Sequence, residues 1–254
     1  MTILKLAPHI HTSYSDDSDW DLERLVVVLK RAGFGGALIC DHDRTMDDEK
    51  WDRMQAACDA IGEERDFVVV PGIEYQDPDH IIHLPVFGRS SFYGRSPDIG
   101  DVARRARRDG AAAIFAHPRR RDAWQRFDPA WAADLAGIEV WNRKYDGIRP
   151  NAWALSVSAE HGMPATVALD WHGPRQLYPL ALTVPTPAGD TNKARTAGVV
   201  DSMLAGDVRA TAFGMDVADF NRGPLGAASR SAESLRLWSA PKIRALQRAV
   251  RRSG

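Results

Sequence analysis

Residues 3–16 read Ile3-Leu4-Lys5-Leu6-Ala7-Pro8-His9-Ile10-His11-Thr12-Ser13-Tyr14-Ser15-Asp16. Residues 3–7 have the length and apolar character of a buried strand, and two histidines follow at a spacing of two. In extended backbone that spacing points both rings the same way. Working outward, the pattern recurs. Apolar runs occupy residues 37–40, 67–71, 81–87, 112–115, 137–140, 165–169 and 180–184. Asp41, His42 and Asp43 follow the first of these, and Glu74 follows the next. His83 lies inside residues 81–87, and His117 follows residues 112–115. Asp170 and His172, again two apart, close the run at 165–169. In a barrel of parallel strands the carboxyl ends open on one face, so these groups are expected on one rim.

Between the apolar runs lie amphipathic stretches, and the alternation indicates an α/β protein. The clearest helix covers residues 21–31, with Ser18 or Asp19 as its cap and Leu22, Leu25, Val26 and Leu29 on one face. Further helices are expected near residues 47–61, 99–109, 150–161 and 192–204. No repeat or Ser/Gly linker divides the chain. Its composition changes at residue 221, where Arg222, Arg230, Arg236, Lys242, Arg244, Arg248, Arg251 and Arg252 face a single acid, Glu233. The expected division is therefore a catalytic barrel over residues 1–220 and a basic helical tail over 221–254. That tail would pack on the barrel through Leu235, Leu237, Trp238, Ile243, Leu246 and Val250.

A chain of 254 residues, 44% hydrophobic, can bury the core of one barrel. A net charge of −1 gives no general attraction to nucleic acid or membrane. Cys40 and Cys58 form no C-x-x-C pair or disulfide framework. With no signal-peptide-like start and no apolar run of about 20 residues, a cytoplasmic location and no membrane partner are expected.

A lone histidine at a strand end is an ordinary hydrogen-bonded residue. Two pairs at a spacing of two, with further imidazoles and carboxylates at the same rim, form a ligand set suited to zinc, manganese or iron, and large enough for more than one ion. His161, before Gly162, reads instead as a helix C-terminal residue. His80 and His83 compete for one position.

The order of these motifs resembles the polymerase and histidinol phosphatase (PHP) superfamily over residues 6–173. His9-Ile10-His11-Thr12-Ser13-Tyr14-Ser15-Asp16 is similar to its opening H-x-H-T-x-x-S-D signature, and Cys40-Asp41-His42-Asp43 to its T-D-H-D motif. Pro71-Gly72-Ile73-Glu74, Ala116-His117-Pro118, Gly137-Ile138-Glu139-Val140-Trp141-Asn142 and Leu169-Asp170-Trp171-His172 resemble the later motifs in the same order. The resemblance implies a distorted (β/α)7 barrel with two to three divalent ions (zinc, manganese or iron). It also implies a ligand set. His9, His11, Glu74 and Asp170 would hold one ion; Glu74 would bridge to a second with His83 and His117. Asp16, His42 and His172 would hold the third. Cys40, Leu169 and Trp171 depart from the pattern, and Trp171 is bulky enough to line a substrate pocket.

Such a centre hydrolyses a small phosphorylated substrate by a metal-bridging hydroxide, with Glu74, Asp170 and His172 at the reacting centre. Arg119, Arg143 and Arg175, each just after a motif, suit the phosphoryl oxygens because guanidinium forks onto two of them. Asp41 and Asp43 are expected to orient imidazoles from behind. A phosphomonoesterase of histidinol-phosphatase-like type is the first reading. A phosphodiesterase, 3′–5′ exonuclease or cyclic-phosphate hydrolase would use the same ions, and nucleic acid would then meet the basic tail. A non-catalytic scaffold module would be expected to have lost ligands, and this sequence retains them.

Overall fold

The computed structural model describes residues 2–252, with the side chains of Leu237, Ala240 and residues 242–252 outside the described set. Along it run β1 (Ile3–Ile10), α1 (Leu22–Arg31), β2 (Gly36–Ile39), β3 (Asp41–His42), α2 (Asp48–Glu64), β4 (Val68–Val70) and β5 (Gly72–Gln76). Then come β6 (His83–Phe87), α3 (Ile99–Arg108), β7 (Ala112–Phe115), β8 (Gly137–Asn142), α4 (Ala152–His161), β9 (Ala165–Ala168) and β10 (Leu180–Pro185). The chain ends in α5 (Asn192–Leu204), β11 (Arg209–Ala212), β12 (Met215–Asp216), α6 (Val217–Arg222) and α7 (Pro224–Arg252).

Helix α1 forms where the 3.6-residue period of Leu22, Leu25, Val26 and Leu29 buries one face. Its cap is Asp21, whose carboxylate accepts from Arg24 N, and not Ser18 or Asp19. Asp21 is the residue from which a short acidic side chain reaches the third free N–H. Asp47, Asp98, Asn151 and Thr191 cap α2, α3, α4 and α5 in the same way. Helix α4 stops at Gly162, which takes the left-handed conformation.

The strands form two six-stranded sheets, in the orders β12-β11-β10-β1-β2-β4 and β3-β5-β6-β7-β8-β9. The sheets are mixed rather than parallel throughout: β10 runs antiparallel to β1, and β6 runs antiparallel to β5 and β7. Ladders and helices thus make a mixed α/β fold, and they do not by themselves trace a closed seven-stranded barrel. Two strands pass from one sheet to the other. β2 continues through Cys40 into β3, and β4 continues through Pro71 into β5. Proline brings no N–H to the ladder, which suits a change of sheet. On the far side the end of β1 meets the segment after β9. Leu169 N donates to Pro8 O (3.0 Å), Trp171 N to His9 O (3.1 Å) and His11 N to Trp171 O (3.0 Å). These bonds bring His9 and His11 beside Asp170 and His172.

Helix α7 takes up residues 224–252 of the expected basic tail, whose first two residues end α6. Its one acid, Glu233, is buried, and Arg236 pairs with it at 2.6 Å. Leu235 is 63% exposed, so it does not pack as the amphipathic pattern suggested, and Trp238 is 64% exposed. The expected contacts of Leu237, Ile243, Leu246 and Val250 lie outside the described residues. No helix among the described residues is long and apolar enough to cross a membrane.

Candidate metal centre

Glu74, in the middle of β5, is 1% exposed and sits among five imidazoles. Its Oε1 lies 3.2 Å from His9 Nε2, 3.1 Å from His83 Nδ1 and 3.0 Å from His117 Nε2. Its Oε2 lies 3.0 Å from His42 Nδ1 and 3.7 Å from His11 Nε2. Asp170 flanks the group, 3.9 Å from His11 Nε2 and 3.3 Å from His172 Nδ1. Eight of the nine expected ligands therefore converge: His9, His11, His42, Glu74, His83, His117, Asp170 and His172.

Convergence depends on backbone that is not regular strand. β1 bulges between Ala7 and Ile10, and His9 takes φ 59°. His117 and Asp170 also have positive φ, 28° and 51°. Left-handed backbone is uncommon outside glycine, and three instances at one site mark a place where tertiary contacts impose the geometry. His9 and His11 meet Nε2 to Nε2 at 3.1 Å, although simple alternation along an extended strand is not what places them. His83 arrives differently again. It opens β6, and because β6 is antiparallel to its neighbours its amino end, not its carboxyl end, reaches the rim.

Asp16 does not join the cluster. Its carboxylate is 55% exposed and bonded by Arg44 at 2.6 Å. Asp17 takes the expected place, with Oδ2 3.0 Å from His42 Nε2 and 3.1 Å from His172 Nε2. Arg44, one residue beyond the Asp41–Asp43 motif, is near enough to claim the first of two adjacent acids. His80 stays outside the metal-ligand groupings, its Nδ1 held by Gln76 Oε1 at 2.8 Å. Asp41 does not orient an imidazole: it accepts from Thr12 N (2.7 Å), Thr12 Oγ1 (2.7 Å) and Ser15 N (3.1 Å), fixing the loop after His11. Asp43 accepts from Ser96 N at 2.7 Å. Trp171 is fully buried, edge-on to Trp20, and packs in the core rather than lining a pocket.

The residues that support the cluster were not among the expected ligands. Glu139 Oε1 accepts from His9 Nδ1 at 2.6 Å, and its Oε2 accepts from His117 N at 2.8 Å. Asn142 Nδ2 donates to Glu139 Oε2 (2.9 Å) and Asp170 Oδ2 (3.3 Å). Gln76 Nε2 lies 2.6 Å from His42 Nδ1. Lys144 Nζ stands 3.3 Å from Asp170 Oδ1 and 3.4 Å from His172 Nε2. Glu139 and Asn142 fall inside the quoted segment 137–142, so a signal for them existed; Gln76 and Lys144 sit just past motifs and carried none. Of the three expected arginines, Arg119 and Arg175 are exposed and Arg143 stacks over the Tyr178 ring at 4.8 Å.

Burial would raise the Glu74 carboxyl, but the facing His83 and His9, with hydrogen bonds from His117 and His42, hold it well below the usual carboxylate range. Burial pushes His83 down to about 3, and burial with the neighbouring His42 holds His11 low. Both are therefore neutral rings with a lone pair to give. Burial opposes charge on His42 as well, yet hydrogen bonds to Asp17 and Glu74 raise it to about 9.

Three observations test whether metal ions fit. Buried His11 Nδ1, His83 Nε2 and His117 Nδ1 have no hydrogen-bond partner among the described residues. Such atoms are costly unless something satisfies them. Ligand atoms of His9, Glu74 and His117, of His42, Glu74 and His83, and of His11, Asp17, His42 and His172 each lie within 4.8 Å of one another. Finally, one carboxylate facing five imidazoles at 3.0–3.7 Å resembles the edge of about 3.3 Å between neighbouring ligands of a tetrahedral ion with bonds of about 2.0–2.1 Å. The donor set fits divalent cations.

By sequence the chain matches no protein-family model and no curated protein. Solved structures do resemble it. A two-domain protein from Bacteroides vulgatus containing a predicted PHP-like metal-dependent phosphoesterase superposes with a TM-score of 0.61 at 18% identity, covering 83% of this chain. This chain spans 65% of the length of that protein. PsfC from Pseudomonas syringae has a TM-score of 0.60 at 13% identity, over 92% of this chain and 100% of its own. An amidohydrolase from Chromobacterium violaceum, with bound sulfate and no metal, gives 0.51 at 13% identity over 66% and 88%. At these identities the likeness is one of fold, and the fold is that shared with the PHP-like protein from Bacteroides vulgatus.

Proposed function

We propose that the chain is a metal-dependent phosphoesterase, a phosphomonoesterase acting on a small phosphorylated substrate with two to three divalent ions. The observation that carries the reading is Glu74, a buried carboxylate whose two oxygens face different histidines. The fold shared with the PHP-like protein supports it. When bound, divalent ions supply a nucleophile from water near neutral pH and offset charge on the phosphoryl oxygens.

The chain's residues divide the remaining work. Glu74 would hold ions through both oxygens, one facing His9, His83 and His117 and the other facing His42 and His11. Asp170, His172 and Asp17 hold the side toward solvent. Glu139 receives the Nδ1 proton of His9 and so turns its Nε2 lone pair toward the cluster. Lys144, beside Asp170 and His172, places an ammonium where a phosphoryl oxygen would meet the rim. Arg119, Arg143 and Arg175, on the loops after β7, β8 and β9, add charge further along the substrate.

The test is turnover of purified protein, loaded with manganese or zinc, against a broad panel of phosphate esters. Monoesters should be hydrolysed, and chelator should abolish the activity. Faster cleavage of oligonucleotides or cyclic phosphates would make the protein a diesterase instead. No hydrolysis of any ester by fully loaded protein would reject the assignment.

A further inference from the structure

One buried nucleophilic side chain at the centre has no part in this scheme. Cys40 lies where β2 passes into β3 and is fully buried. It stands two residues before His42, on the same side of extended backbone. Its Sγ and ring nitrogens of His9 and His11 lie within 4.8 Å of one another. The two rings already meet Nε2 to Nε2 at 3.1 Å. His9 Nδ1 is committed to Glu139, so Nε2 is the His9 nitrogen left to meet an ion. His11 Nδ1 is buried without a partner. Two ring nitrogens thus converge on one point, and a sulfur stands beside them.

We propose that Cys40 is a thiolate ligand, together with His9 and His11, of one ion of the centre, and that it makes this position selective for zinc over manganese. The inference rests on the metal-centre reading above. Glu74 Oε1 lies 3.2 Å from His9 Nε2 but outside the His9, His11 and Cys40 group, which leaves the fourth position of that ion open. A tetrahedral ion with Zn–S of about 2.3 Å and Zn–N of about 2.0–2.1 Å sets sulfur and nitrogen about 3.5 Å apart. From a spacing of at most 4.8 Å, closing takes no more than about 1.3 Å. The thiol proton leaves to solvent as the ion binds, with no change of oxidation state. Thiolate is a soft donor that favours zinc, whereas manganese prefers oxygen, so one sulfur in an otherwise imidazole and carboxylate site separates the two metals.

Cobalt(II) is the probe, because its spectrum reports ligands without reference to activity. Cobalt-loaded wild-type protein should show visible ligand-field bands and a near-ultraviolet sulfur-to-cobalt charge-transfer band. Cys40→Ser and Cys40→Thr should lose the near-ultraviolet band and keep the visible ones, while Cys58→Ser keeps both. In competition experiments Cys40→Ser should lower the preference for zinc over manganese by about tenfold or more. Visible bands without a charge-transfer band in the wild type would overturn the thiolate and leave the metal centre standing. Failure to take up cobalt, zinc or manganese at all would overturn both. The wild-type spectrum decides the matter even if the variants do not fold.

Discussion

At Glu74 the two carboxylate oxygens face different histidines, and that division is the chemical content of the site. Its sequence signal was its place in Pro71-Gly72-Ile73-Glu74, just beyond the apolar run at 67–71. His83 and His80 were not separable in the same way. They lie three residues apart, and either ring could be drawn toward the rim until the direction of β6 is known. With β6 antiparallel and opening at His83, that ring enters the cluster and His80 turns to Gln76. His83→Ala should therefore lower metal affinity about 10- to 100-fold or more, and turnover with it. His80→Ala should leave metal content near wild type. Elemental analysis of the two purified variants checks this, and the opposite pattern would reverse the assignment. Asp16 and Asp17 present the same difficulty at a spacing of one, and there the competing Arg44 decides.

At the scale of elements, the turn from β4 into β5 sets where Glu74 points. A Cβ on Gly72 would lie 2.6 Å from Val86 O and 2.7 Å from Ile39 O, both backbone atoms of neighbouring strands. Neither can move without disturbing a ladder. Gly72→Ala should cost roughly 1–3 kcal/mol of stability, the usual range for overpacking. Because Glu74 is two residues away on the same strand, metal affinity should fall as well. Denaturant unfolding with and without added zinc would measure both, and a variant as stable as wild type would show that the contact relaxes cheaply. Helices α1 to α5 were legible from apolar period and caps. β5 was not seen as a strand, since its sequence looks like a motif with a turn, and β11 and β12 lie in a stretch too polar and short to stand out.

For the whole molecule, elements from residue 9 to residue 172 meet at one buried cluster of imidazoles and carboxylates. Ions that bind this arrangement bind the folded chain and have little affinity for the unfolded one, so loading and stability are linked. At free metal about 100-fold above the dissociation constant, the linkage is worth about 2.7 kcal/mol. For a chain of this size that corresponds to about 5–10 °C in the unfolding midpoint. Chelator should lower the midpoint by that amount, and added zinc should restore it with a dependence on metal concentration. Calorimetry in both conditions is the check. A midpoint indifferent to metal would mean that the cluster does not hold ions in the native state.

The sequence alone determined the periodicities and the inventory of donors: which runs are buried, which faces are apolar, and that imidazoles and carboxylates collect beside strand ends. Those are local properties, set by side-chain chemistry and by repeats of two and 3.6 residues. Strand direction, the passage of β2 and β4 from one sheet to the other, and the left-handed backbone at His9, His117 and Asp170 came only with the tertiary structure. So did the supporting contacts of Glu139, Asn142, Gln76 and Lys144. Each depends on pairing between segments as much as 130 residues apart, as His9 and Glu139 are. No local pattern carries that information, because the energy that bends those backbones and fixes those partners comes from packing the whole chain.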